Sequence, residues 1–229
     1  MKKFILLASF LILFSLLASS QGFNELINLK RYEKNNAELP APMKKEKRVV
    51  FIGNSITEGW VKVRPDFFTS NNYIGRGIGG QTSPQLLSRF RQDVINLKPK
   101  AVVINIGTND IAENTGSYDF EFTLGNIKSM AELAKANGIK VILSSVTPAG
   151  EYPWRKEIKN VPEKIMTLNA AIKAYAKEHK FAYIDYFEKM HDENNALISS
   201  YGTDGVHPNA EGYAIMEEAA KKVIDKVVK

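Results

Sequence analysis

Val49-Val50-Phe51-Ile52-Gly53-Asn54-Ser55-Ile56-Thr57 joins a short apolar run to a glycine and then to a serine. Such a run, rich in β-branched residues and closed by Gly53, predicts a buried strand. Ser55 then falls on a tight turn near the start of a helix. From Val49 onward this alternation of strand and helix repeats. Tyr73 and Ile74 predict a weaker second strand. Leu86, Phe90, Val94 and Leu97 recur at helical spacing, with Thr82 or Ser83 as the cap and Pro84 in the first turn. Ala101–Ile106 predicts a third strand, ending at Gly107. Leu124, Ile127, Ala131 and Ala134 mark a helix over 119–137, closed by Gly138. A strand over 139–146, a helix carrying Ile165, Leu168, Ile172 and Tyr175, a strand over 181–184 and a helix over 210–228 complete the series.

Apolar strands alternating with helices imply a parallel sheet covered on both faces. The expected fold is a three-layer α/β/α sandwich of flavodoxin-like type. Ligands of such folds sit beyond the carboxyl ends of the strands. Chemistry is therefore expected just after residues 52, 75, 106, 146 and 186.

The 229 residues suit one domain, and 44% apolar residues suffice for a sizeable core. Charged residues, at 24%, match an ordinary soluble domain and exclude a disordered chain or a multi-span membrane protein. Lys2 and Lys3, the apolar stretch Phe4–Leu17 and the small Ala18, Ser19 and Ser20 follow the pattern of a secretory signal peptide over residues 1–20. The stretch is short of the ~20 residues that a membrane span needs. An uncleaved N-terminal anchor is the alternative. Export makes the mature protein secreted or periplasmic, with no stable membrane anchor after cleavage. The chain has no cysteine, so it has no disulfide, no thiol chemistry and no lipid-modified cysteine. Residues 21–47 read as an N-terminal arm and linker, helical over 23–36 and then broken by Pro40 and Pro42. Residues 48–229 form the domain. The formal net charge of +6 is dispersed, and Glu46 interrupts the cluster Lys44, Lys45, Lys47 and Arg48. That cluster reads as a solvated connector, so no nucleic-acid partner is expected.

Four strand ends carry polar residues. At the first, Ser55 is either a nucleophile facing the crevice or the N-cap of the next helix. Thr57 stands where the Gly-x-Ser-x-Gly elbow has its second glycine, and no Gly-Lys-Ser/Thr follows as in a P-loop. At the second, Gly75-Arg76-Gly77-Ile78-Gly79-Gly80 formally matches Gly-x-Gly-x-x-Gly, but no acid follows about 20 residues on at a strand end. A loop bringing a bare backbone N–H to a ligand, or a flexible turn, are the other readings. At the third, Asn109 either points its amide into the crevice, as a donor to a developing oxyanion, or closes an Asx turn. At the last, Asp204 stands three residues before His207, with Pro208 and Asn209 following. A loop at that spacing can bring the carboxylate to one ring nitrogen and leave the other free; a capped loop with an incidental histidine is the alternative. His179 and His191 are expected at the surface. No second histidine stands at ligand spacing, so no metal is expected.

Together these residues assemble a mechanism. A serine needs a base to act as a nucleophile at neutral pH. His207 can supply it and Asp204 can fix its tautomer. The N–H groups of Ser55 and Gly80, with the Asn109 amide, can bind the oxyanion.

In Gly53-Asn54-Ser55-Ile56-Thr57, Gly77-Ile78-Gly79-Gly80, Gly107-Thr108-Asn109-Asp110 and Asp204-Gly205-Val206-His207-Pro208 the sequence resembles the SGNH hydrolases, also called the GDSL esterase/lipase family. The four residues that name the family correspond to Ser55, Gly80, Asn109 and His207, and the resemblance covers roughly residues 48–228. It implies the α/β/α fold, no metal or other cofactor, and hydrolysis of acyl esters or thioesters. The sequence departs from the family in one place: Asn54 replaces the usual aspartate before the serine.

The leading expectation is a serine esterase removing small acyl groups, acetyl above all, from carbohydrates. Export would place it among extracellular glycans. The loop from Pro148 to Val161 carries Tyr152, Trp154 and Arg155, and Trp60 and Arg64 are expected to line the other side of the site. Aromatic faces and charges suit a sugar better than a lipid tail, although Trp154 could also merely pack its own loop. The alternatives are a lysophospholipase or short-chain lipid esterase related to platelet-activating factor acetylhydrolase, and a glycan-binding module without turnover.

Overall fold

In the computed structural model Gly22 and residues 24–229 are described, and the expected signal peptide over residues 1–20 lies outside them. Val49–Gly53 forms β1, buried along its length. It pairs in parallel with Tyr73–Gly77 (β2) on one side and Ala101–Asn105 (β3) on the other. Lys140–Ser144 (β4) and Ala182–Ile184 (β5) extend the sheet in the order β2-β1-β3-β4-β5. This is the flavodoxin-like order, whose winding reverses between β1 and β3 and opens a crevice there. The chain thus adopts the expected three-layer α/β/α sandwich with a central parallel sheet.

The helices are Glu33–Glu38 (α1), Ser55–Val63 (α2), Pro65–Thr69 (α3), Ser83–Asp93 (α4), Thr108–Ile111 (α5), Phe120–Ala136 (α6), Val161–Glu178 (α7), Phe187–Met190 (α8) and Ala210–Val227 (α9). Alternating strand residues feed two cores. Val50, Ile52, Val102, Ile104, Val141 and Leu143 pack with Leu86, Phe90, Ile127 and Ile165 on one face. Val49, Phe51, Val103, Ile142 and Ile184 pack with Trp60, Phe67, Tyr213 and Ile224 on the other. Because both faces are covered, the strands read as continuous apolar runs. Each fully buried side chain of this kind stabilises the fold by about 1.5–3 kcal/mol.

Three sequence expectations shift. The helix expected over 23–36 is interrupted at Asn28, whose φ is +56°, and resumes as a 3₁₀ turn over Leu29–Tyr32 before α1, while Phe23 lies outside the described residues. The stripe from Leu86 to Leu97 is not one helix, since α4 ends at Asp93 and a 3₁₀ turn takes Ile95–Leu97. The second strand is longer than expected, and Gly75 and Gly77 lie inside β2 rather than in a phosphate-binding loop. Their bareness has a packing cause. A Cβ on Gly77 would stand 2.2 Å from the Glu58 nitrogen, and one on Gly75 would stand 2.2 Å from Val61 Cγ2. Helix α2 lies too close to β2 for any side chain there.

Before β1 the chain lies across the open end of β2. Gln81 Nε2 donates to Ile27 O at 2.6 Å, Gln85 Nε2 to Leu26 O at 2.6 Å, and Tyr32 Oη to Gly77 O. Arg76 Nε donates to Asn36 Oδ1 at 2.8 Å, and Asn36 Nδ2 donates to Asp93 Oδ1 at 2.7 Å.

Candidate active site

Beyond β1 the backbone turns at Asn54, whose Oδ1 accepts the Ile56 N–H at 3.0 Å and caps α2. Aspartate and asparagine cap helices about equally well. The departure at residue 54 therefore preserves the turn. Ser55 is the first residue of α2, so its N–H belongs to the helix's unsatisfied first turn. The positive end of the helix dipole lies at the same place. Ser55 Oγ sits 2.9 Å from His207 Nε2.

His207 is presented by a tight loop before α9. Asp204 Oδ1 accepts the N–H groups of Val206 and His207 at 3.0 and 2.8 Å, while Oδ2 stands 2.8 Å from His207 Nδ1. One carboxylate therefore both folds the loop and orients the ring. Gly205 makes this possible at a φ of +80°. Burial pushes the Asp204 carboxyl up, but these three hydrogen bonds outweigh it and hold its pKa below the usual aspartate value. Asn209 Oδ1 caps α9 by accepting from Glu211 and Gly212 N–H. Tyr213 Oη then donates to Ile56 O at 2.9 Å, tying α9 to α2.

The loop after β2 brings the exposed Gly80 to the same edge, at a φ of +76°. Among the described residues its N–H has no protein acceptor. Asn109, buried at the start of α5, donates Nδ2 to Gln81 O at 3.0 Å. An amide nitrogen carries two hydrogens, so one donor remains. The loop after β4 places Trp154 with its ring centroid 5.9 Å from that of His207, and Trp154 Nε1 donates to Asn114 Oδ1 at 3.0 Å. Arg155 Nη1 donates to Glu113 O at 2.7 Å, and its guanidinium pairs with Glu113 and Glu157 at the rim.

This set of segments carries a known signature. The sequence model of the GDSL-like lipase/acylhydrolase family matches residues 51–215. The chain belongs to that family. It is 62% identical to a GDSL-like lipase of Bacteroides thetaiotaomicron whose crystal structure superposes with a TM-score of 0.86, over 88% of this chain and 98% of that one. It is 26% identical to an acetylxylan esterase of Xylanibacter ruminicola over 79% of this chain and 43% of the relative. It is 31% identical to the human platelet-activating factor acetylhydrolase IB subunit alpha2 over 51% of each. The chain thus spans about half the length, or less, of these curated relatives.

In this member of the GDSL-like family, Ser55, Gly80, Asn109, Asp204 and His207 gather at one sheet edge with Trp154 beside them, while Arg155, next along the same loop, is held by Glu113 and Glu157. Trp60 and Arg64 do not join them. Trp60 is 2% exposed and stacks on Phe67 and Tyr213 at 5.2 and 5.7 Å. It fills the core beneath α2 and faces no crevice. Arg64 follows the nine residues of α2, which carry it about 13 Å away from the strand ends. There it holds Glu217 through two bonds of 2.9 and 2.8 Å. His179 and His191 are half-buried rather than exposed, stacked on Phe181 and Phe187.

Sequence reasoning passed over the residues that hold this GDSL-type edge together. Arg89 is wholly buried, and it donates to Gln81 Oε1 at 2.7 Å, Asp93 Oδ2 at 2.9 Å and Gly53 O at 2.9 Å. It thereby joins the end of β1 to the glycine loop. Asp110 accepts from Ser83 N and Oγ at 2.9 and 2.6 Å, and burial pushes its carboxyl above the usual aspartate value despite those bonds. A charged residue on an apolar helical stripe, as Arg89 is on α4, was the available signal.

Proposed function

We propose that the protein is a serine esterase that removes small acyl groups, chiefly acetyl, from carbohydrates. The observation that carries this reading is the line Ser55 Oγ, His207 Nε2, His207 Nδ1, Asp204 Oδ2, with contacts of 2.9 and 2.8 Å. His207 takes the Ser55 proton at Nε2 as Oγ bonds to the ester carbonyl carbon. The carbonyl oxygen gains the electron pair and is met by the N–H groups of Ser55 and Gly80 and the free Asn109 amide hydrogen. His207 returns its proton to the departing alcohol, leaving an acyl-Ser55. Water, deprotonated by the same nitrogen, then releases the acid and restores Ser55. Asp204 keeps Nδ1 protonated throughout.

The alcohol departs beside the ring that protonates it. Trp154 borders that ring and is 40% exposed, so it offers an indole face to the leaving group. Sugar rings stack on such faces, and Arg155 supplies donors at the rim. The acetylxylan esterase among the relatives supports the same substrate class. Acetate release from a panel of acetylated oligosaccharides tests it, and no release from any sugar ester would overturn it. The likeness to platelet-activating factor acetylhydrolase favours a second reading, an acetylated lipid. Comparing an acetylated phospholipid with an acetylated oligosaccharide decides between them.

The signal-peptide pattern of residues 1–20 supports an exported enzyme that retains residues 21–47 on its hydrolase domain. N-terminal sequencing of the mature protein checks this, and a start at Met1 would refute cleavage.

A further inference from the structure

Gly80 can serve an oxyanion only if its N–H is aimed. That N–H belongs to the peptide between Gly79 and Gly80, two exposed glycines with no side chains to hold them. Gly80 stands in the left-handed region at a φ of +76°, and a free glycine populates many other conformations. Something outside the two residues must fix the peptide.

The Ile78–Gln81 turn closes over it with only a long bond, Gln81 N–H to Ile78 O at 3.4 Å, and one side-chain hydrogen bond stands on each side of it. Before it, Gly79 N–H donates to Glu58 Oε2 at 2.9 Å. After it, Gly80 O accepts from Asn114 Nδ2 at 3.2 Å. The orientation of the Asn114 amide follows from chemistry. Its other end accepts from Trp154 Nε1 at 3.0 Å, and an indole N–H can only donate. Oδ1 must therefore face Trp154, which turns Nδ2 toward Gly80. Asn114 is itself anchored, its N–H donating to Asn109 O at 3.0 Å. Glu58 is equally constrained, since Arg31 and Lys62 each donate to its Oε1 at 3.1 Å. Those two cations also offset a carboxylate charge that would otherwise oppose an oxyanion nearby.

We propose that Glu58 and Asn114 are positioning residues that clamp the Gly79–Gly80 peptide and so aim the Gly80 N–H at the acyl oxygen. The proposal rests on the esterase reading above. Glu58 stands on the helix that Ser55 begins, one turn further along. Nucleophile and oxyanion donor are thus registered to each other through one rigid element. Asn114 links the Gly80 carbonyl, in the next peptide, to Trp154, so the wall that faces the leaving group and the residue that carries the oxyanion donor share one amide.

The test uses the whole protein, p-nitrophenyl acetate and phenylboronic acid. Ser55 Oγ adds to the boron as His207 takes its proton, and a tetrahedral adduct forms with an oxygen where the oxyanion would lie. Glu58→Leu and Asn114→Ala are expected to lower kcat by about 10–10² with KM changed less than about threefold, because a donor is displaced rather than deleted. Boronate affinity should fall in parallel. Glu58→Gln keeps a carbonyl acceptor for Gly79 N–H and should recover most of the lost turnover. Glu58→Ala and Asn114→Ser replace the first pair if either fails to fold. Turnover within threefold of wild type in both Glu58→Leu and Asn114→Ala, beside an inactive Ser55→Ala, overturns the clamp and leaves the esterase reading intact. A fall in turnover without a fall in boronate affinity, or no recovery in Glu58→Gln, also overturns it. An active Ser55→Ala overturns the esterase reading instead.

Discussion

Ser55 Oγ and His207 Nε2 stand 2.9 Å apart although 152 positions separate them in the chain. Removing either end of that contact should abolish turnover while leaving the fold intact, because both side chains lie on the crevice rather than in a core. Ser55→Ala is expected to lose activity by a factor on the order of 10⁶. An organophosphate should label the wild type at Ser55, read by peptide mass spectrometry. Labelling at any other serine would move the nucleophile.

Asp204→Asn should keep the loop, since Oδ1 can still accept from Val206 and His207 N–H, yet lose the acceptor for His207 Nδ1. Turnover is expected to fall by up to roughly 10⁴. Far-ultraviolet circular dichroism should match wild type. An unaltered rate would mean that the histidine needs no carboxylate partner.

Asn109→Ala removes one donor to the oxyanion and should cost about 10²–10³ in turnover, or about 2.7–4 kcal/mol. KM should change far less, because the bond strengthens as charge develops. A raised KM at normal kcat would make Asn109 a substrate-binding residue instead.

Trp60 supplies the opposite kind of test. It fills the core between Phe67 and Tyr213, so Trp60→Ala should destabilise the protein by about 3–5 kcal/mol. The urea midpoint reports this. Specific activity per folded molecule, assayed well below that midpoint, should stay near wild type if Trp60 has no part in binding.

The pH dependence of stability has a definite sign at Glu58. Burial pushes its carboxyl up, but Lys62, Arg31 and the Gly79 N–H outweigh that and hold it below the usual glutamate value. A depressed folded pKa adds stability above the unfolded value of about 4.3, and that stability is lost as pH falls through the folded value. Glu58→Gln should therefore weaken the protein at pH 7 and narrow its gap to wild type on acidification below about pH 4. Asp110, raised by burial, acts with the opposite sign but is common to both proteins. Equal urea midpoints at pH 7 would show that the ion cluster around Glu58 contributes nothing.

How much of this was legible in the sequence follows from the range of each signal. The strand at Val49 announced itself because its neighbours on both faces are apolar, and Asp204 and His207 were found because their contact is local. Gly77 read as part of the loop after β2 because its bareness answers to Glu58 on another element, which no local pattern records. Trp60 was misjudged for the same reason. Its distance from Ser55 along the chain is short, but which side of α2 it occupies is decided by Phe67 and Tyr213. Asn114 reaches Gly80 and Trp154 on other loops, and Arg89 reaches Gln81 and Gly53 beyond its local i,i+4 partner Asp93; spacing gives no access to such long-range pairs.

The bond from Tyr213 to Ile56 O has a temporal consequence. The helix that Ser55 begins is braced by the helix that comes last, and His207 is delivered just ahead of it. A chain released from synthesis at residue 200 would hold every strand and still lack its base. Catalytic competence therefore cannot precede synthesis of the segment that carries Asp204, His207 and Tyr213. A ribosome-bound chain stalled at residue 200 should therefore give no esterase signal, whereas one extended past α9 should give it.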